Sequence, residues 1–355
     1  MLTNPPPRPQ QGARIAWIDA ARAVAVLAVI LMHYKGYTVN PLGDYPSTER
    51  RVWREITEAL TPIRMPLLLF ISGMLASSKL LGSTAAAARR GISSLYLNGV
   101  WTTIYFLASF LLVVPSPGQL DSVWQWLRQL VLPGSNLWFV WALAAWAFAF
   151  ILLKRLPMWL VLGGFLVLSM VGLLMRDSLP GALPSTFRYG LFFALGVYGS
   201  RYAVGFFSSA VATKAVVLLG IHVAAGRLAY VDGVDRFGRV LLIEVQSLAG
   251  LAAVSAVLVL LCRWGAFARV SGFIGKRTLP LFVCHLPLLW IVLNVDQVRA
   301  ALSPAGFEWA WPILGTVTLA AGSLLIDFLA RRLGARHLFD VPEALLPGVR
   351  AGGKR

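Results

Sequence analysis

The stretch RIAWIDAARAVAVLAVILMHY, Arg14–Tyr34, decides the fold class. It is apolar and, at about 1.5 Å per helical residue, long enough to cross a bilayer. From Ala16 to Met32 its only charges are Asp19 and Arg22, and His33 follows. Arg22 and His33 are about three helical turns apart, so they share one face and stand roughly 16 Å apart along the axis. Asp19 lies one turn before Arg22 on that face. Ionisable groups at membrane depth are costly and turn towards protein or a polar cavity. The helix therefore reads as a polar stripe around which a site is built.

The rest of the chain has the same character. Of its 355 residues 58% are hydrophobic and only 13% charged, with a mean hydropathy of +0.72. A soluble domain carries roughly 25% charged residues. Apolar stretches recur near 15–34, 60–80, 93–114, 136–153, 158–175, 187–206, 208–225, 240–262, 279–295 and 310–330. The expected fold is all-α: a polytopic transmembrane bundle of about ten spanning helices. The first helix follows a polar, Pro-rich tail and lacks a small-residue cleavage site, so it reads as a retained anchor.

The net charge of +17 does not point to nucleic acid. With the N-terminus inside, the basic clusters Lys79–Arg90, Lys154–Arg155, Arg201–Lys214 and Arg263–Arg277 and the segment after Arg331 all fall in the cytoplasm. Only two acids, Asp340 and Glu343, join them there. Outer segments balance acids against bases. That is the positive-inside bias, and it puts both termini in the cytoplasm. The expected division is a disordered cytoplasmic N-terminal tail at 1–13, a transmembrane domain at 14–332 and a cytoplasmic C-terminal tail at 333–355. The two cysteines, Cys262 and Cys284, suggest neither a disulfide framework nor a metal site.

Other polar residues join the stripe as candidates. Arg64 stands near the outer end of the second span, between Pro62 and Pro66, ahead of Ser72 and Gly73. Trp138 opens the fourth span and Arg188 the sixth. Glu244 lies about one turn into the eighth, and His285 sits in the middle of the ninth. Each has a plain structural reading as well. Asp19 and Arg22 suit a buried ion pair, Arg22 or Arg64 can snorkel to headgroups, and Trp138 can anchor at the interface. A carrier for glycans or glycolipids (a transporter or flippase) would also use such a stripe as a substrate path or proton relay.

Taken in order, several of these stretches resemble the acyltransferase-3 family of integral-membrane acyltransferases. They are Trp17-Ile-Asp19-Ala-Ala-Arg22 with His33-Tyr34, Arg64-Met-Pro66 through Ser72-Gly73, Leu137-Trp138-Phe139, and Gly275 with Leu281 through His285-Leu-Pro287. Within that family the chain looks most like stand-alone sugar O-acetyltransferases similar to fucose 4-O-acetylase. The resemblance implies a multi-pass enzyme of the cytoplasmic (inner) membrane, with no permanently bound cofactor and no metal. Such an enzyme moves an acyl group, usually acetyl from cytoplasmic acetyl-CoA, to a hydroxyl of a carbohydrate or glycolipid. The family's essential residues map to Arg22 and His33. His33 is expected to be catalytic, either as a base whose imidazole Glu244 or another acid orients or as a nucleophile that briefly holds the acyl group. Asp19, Arg22, Arg64, Trp138, Arg188 and His285 are expected to bind donor or acceptor.

Overall fold

A computed structural model describes residues 15–38, 47–112, 119–295, 297 and 309–347. The expected N-terminal tail, 1–13, lies outside them. The described residues form thirteen α-helices. All ten apolar stretches are helical: α1 (Ala16–Thr38), α3 (Thr61–Leu80), α4 (Thr84–Ser109), α6 (Trp138–Leu153), α7 (Met158–Leu174), α8 (Leu183–Phe206), α9 (Val211–Leu228), α10 (Arg236–Leu261), α12 (Thr278–Asn294) and α13 (Trp311–Arg332). Three more, α2 (Ser47–Ala59), α5 (Val123–Val131) and α11 (Gly265–Gly275), fill segments expected to be loops.

Length and composition qualify fewer helices as spans than the sequence suggests. Five stretches are long and apolar enough: Ala16–Tyr37, Arg51–Leu80, Val211–Leu228, Arg236–Leu261 and Trp311–Arg332. The pair α11 and α12, bent by 67°, makes a sixth as a broken span. Helices α6 and α7 are apolar but shorter, while α4 and α8 carry polar residues along their length, among them Arg90, Asn98, Arg188 and Arg201. Outward faces are apolar even so: α9 exposes Val216, Val217, Leu219, Ile221 and Val223. An apolar exterior over polar interior seams is what a multi-pass membrane protein requires.

Local chemistry sets the helix ends. Ser83 accepts from Ala86 N at 3.1 Å, Ser122 from Gln125 N at 3.2 Å and Asp235 from Gly238 N at 2.8 Å, capping α4, α5 and α10. Helix α2 turns Trp53 and Thr57 inward and keeps Arg51, Arg54, Glu55 and Glu58 outside, so it lies on the bundle rather than crossing it. Pro287 within α12 leaves the Val283 carbonyl without its helical donor. Tyr105 Oη on α4 donates to that carbonyl at 3.1 Å. This satisfies a group that hydrocarbon would leave exposed.

Helix α1 is central, packing against α3, α10, α11, α12 and α13. Its approach to α11 is closest at Gly275, where a Cβ would lie 2.0 Å from the Asp19 carbonyl oxygen. Helices α3 and α8 meet the same way: a Cβ at Gly73 would fall 2.1 Å from Phe193 O, and one at Gly196 2.0 Å from Phe70 O. Such backbone contact is how membrane helices gain packing energy where water supplies no drive.

The C-terminal segment is docked as far as Pro347. Trp101 Nε1 donates to Leu338 O at 2.8 Å, Tyr96 Oη to His337 O at 3.0 Å and Arg89 Nε to Pro347 O at 2.8 Å. Phe339 is buried against Trp101. The segment expected as a tail thus braces α4.

Because the α1–α11 contact is backbone to backbone, Gly275→Val should lower the melting temperature in detergent sharply. Overpacking of this kind costs about 1–3 kcal/mol or more. Gly99→Ala, which meets nothing within 4 Å, should leave the melting temperature unchanged.

Candidate active site

Arg22 stands two turns into α1, and its Nη2 donates to Oγ1 of Thr278, the first residue of α12, at 2.6 Å. Both groups line a cavity of about 270 Å³. Its polar side is Arg22, Thr278, Ser72, Arg90 and Ser94, and its apolar wall includes Leu68, Leu143, Phe139 and Phe282. Among the described residues no carboxylate lines it. Arg90 has neither ion pair nor hydrogen bond among the described residues, so the cavity holds an uncompensated guanidinium. Arg89-Arg90 reads from sequence as a cytoplasmic loop pair. A signal was present in the Ser83 cap, which starts the helix early and puts Arg90, Ser94 and Leu97 on one face.

Farther along the same two helices two histidines meet. Helices α1 and α12 run in parallel, Arg22 facing Thr278 near their starts and His33 facing His285 deeper in. The rings lie 5.3 Å apart between centroids at 36°. His33 also stacks on Tyr37, at 5.8 Å and 7°, and the Tyr37 hydroxyl lies close to the Asn136 side chain. His285 Nδ1 donates to Leu281 O at 2.9 Å. A carbonyl only accepts, so this nitrogen carries a proton, and in the neutral ring Nε2 keeps its lone pair. That Nε2 is buried and has no partner. Phe282 joins the two halves: it lines the cavity, sits 6.2 Å from His285 and packs on Phe139 at 5.0 Å.

Arg64 stands within electrostatic reach of His33 and of Tyr189, and its Nη1 donates to Thr57 O at 3.1 Å. Trp138 stacks on Tyr189 at 5.6 Å, and Arg188 lies over the same ring at 5.0 Å. Arg188 Nε is 3.5 Å from Glu244 Oε1, and its Nη2 is 3.4 Å from Ser247 Oγ. Glu244, expected to orient His33, faces Arg188 in the structure. Two buried opposite charges on facing helices pair with each other, since either alone would be costly. The partner beside His33 is His285. Asp19 is buried at the α1–α11 contact and does not line the cavity.

A family model described as an acyltransferase domain matches residues 15–328, from the start of α1 almost to the end of α13. The chain belongs to the acyltransferase-3 family. It is an enzyme of acyl transfer, which sets the carrier reading aside. No curated protein and no solved structure matches it. The acyltransferase thus needs a place for an acyl donor and a group to handle the proton of an attacking hydroxyl. Arg22 with Arg90, and His33 with His285, have the chemistry for these two tasks.

The Arg22–Thr278 bond is open to direct test. A hydrogen bond to a charged group is worth about 1.5–3 kcal/mol, a factor of roughly 10 to 100. Thr278→Val should lower kcat/KM for acyl transfer by that factor, and Thr278→Ser should retain most of it.

Proposed function

We propose that the acyltransferase moves an acetyl group from cytoplasmic acetyl-CoA to a hydroxyl of a cell-envelope carbohydrate or lipid-linked glycan, within the cytoplasmic (inner) membrane. One observation carries the reading: a cavity with two arginines and no acid adjoins, through Phe282, a pair of facing histidines. The charge distribution supports a cytoplasmic position for the Arg22 end and an outward one for the His33 end.

Arg22 and Arg90 would take the donor's phosphates, for which planar guanidinium groups are suited. The roughly 16 Å from Arg22 to His33 along α1 is comparable to the length of a pantetheine arm. At His33 the imidazole accepts the proton of the sugar hydroxyl. The freed oxygen attacks the thioester carbonyl carbon, the C–S bond breaks, and the CoA thiolate leaves with the proton returned by the imidazolium. Arg64 stabilises the oxyanion of the tetrahedral intermediate. His285 Nε2, which has no partner in the structure, would accept the N–H of His33 if the rings, now 5.3 Å apart between centroids, close on each other, keeping the other His33 nitrogen free as base. His285 is thus a positioning residue, the third member that activated nucleophile systems use to orient their base.

With the purified enzyme and radiolabelled acetyl-CoA, His33→Ala should abolish transfer while CoA affinity stays within about twofold. Arg22→Ala and Arg90→Ala should each weaken CoA binding by roughly tenfold or more, the loss of one charge-assisted contact. Full activity in His33→Ala would sink the mechanism. Label held on the protein when no acceptor is present would make His33 a nucleophile instead of a base.

A further inference from the structure

A second cleft, of about 590 Å³, opens where α2, α7 and α9 end and α3, α8 and α10 begin. It is at the His33 end of the bundle. Glu58 forms part of its wall and is within electrostatic reach of Lys35, two residues beyond His33. Thr57, next to Glu58, accepts the hydrogen bond from Arg64, the cation that acts on His33.

Three arginines and one carboxylate line this cleft. Arg188 is committed to Glu244 and Ser247. Arg176 and Arg227, at the exposed rim, have no ion pair or hydrogen bond among the described residues. Glu58 already faces Arg54 on its own helix, at 3.9 Å. The interior is built rather than incidental. His222, only 7% exposed, places Nδ1 2.8 Å from Gln246 O, which fixes the proton on that nitrogen. In the neutral ring its Nε2 is left as an acceptor, in a residue that lines the cleft. Two glycines make the room: a Cβ at Gly250 would lie 2.5 Å from His222 Nδ1, and one at Gly226 2.4 Å from Gln246 Nε2. Tyr230, 72% exposed, adds an aromatic face to the rim.

Each element has a matching chemistry. Unpaired guanidinium groups bind carboxylate or phosphate in a fork. An imidazole nitrogen held as acceptor suits a hydroxyl donor. An open aromatic ring offers a flat apolar face. Arginines that merely reach lipid headgroups would not need a buried, oriented histidine beside them. We infer that this cleft docks the acceptor through an anionic group, a carboxylate or phosphate carried by a glycan whose hydroxyl is acylated at His33. The inference rests on the glycan-acceptor reading above and adds the acceptor's charge and its seat.

The test is binding, which needs no turnover. The full chain in phosphatidylcholine nanodiscs is titrated with three probes: an oligogalacturonate, its neutral methyl ester and a polyisoprenyl monophosphate. Saturable binding of an anionic probe is expected, with the methyl ester at least tenfold weaker. The Arg176→Ala/Arg227→Ala double variant should weaken the anion at least tenfold, and His222→Phe should weaken the oligogalacturonate. CoA affinity, read in parallel, should be unchanged in both variants. Preference for the oligogalacturonate assigns a free acidic glycan, and preference for the phosphate a lipid-linked one. Absence of saturable anion binding, or equal binding by the double variant, overturns the inference. Failure of the donor-cavity reading would show instead as lost CoA dependence on Arg22 and Arg90, with anion binding intact.

Discussion

The guanidinium of Arg22 needs an acceptor, and the structure follows from where that acceptor is found. At membrane depth an unsatisfied cation is too costly to leave. Thr278 supplies the oxygen at 2.6 Å from the first turn of α12, which ties the starts of α1 and α12 together. The helices then run side by side, and their histidines meet deeper in the bundle. From Thr278 to His285 the rise is roughly 10 Å, against roughly 16 Å from Arg22 to His33. The long arginine side chain takes up the difference. Gly275, just before α12, completes the arrangement by letting α11 touch the backbone of α1 at Asp19.

Charges within the bundle fall into two groups, and the division explains the chemistry. Arg188 and Glu244 form an ion pair between α8 and α10. Arg90 beside Arg22, and Arg176 and Arg227 at the far cleft, have no counter-charge among the described residues. They stand where cavities open. Under the proposed function, positive seats at both ends with a histidine pair between them would suit two anionic substrates that approach from opposite sides.

The polar backbone is managed with the same economy. Pro287 breaks the hydrogen-bond ladder of α12 one turn beyond Val283, and Tyr105 restores the lost bond from α4. The same α4 carries Arg90 and is braced from behind by the C-terminal segment through Trp101, Tyr96 and Arg89. The helix that completes the Arg22 cavity is therefore held at two levels by contacts far apart in sequence.

What the sequence by itself determined was the class of molecule and the axis of its site. Hydropathy marked ten helices because lipid and protein interior both demand apolar residues over helical lengths, and helical phase put Arg22 and His33 on one face. The short order of motifs was enough to point to the family. Helices α2, α5 and α11 were not legible, since amphipathic or short elements lack a long apolar run. Tertiary structure alone decided which side chains meet. It paired Glu244 with Arg188 rather than His33, brought His285 to His33, and turned Arg90 from a loop residue into the wall of a cavity. Hydropathy reports how far a residue lies from water, whereas the partner of a buried charge depends on helix packing, and one sequence does not encode that locally.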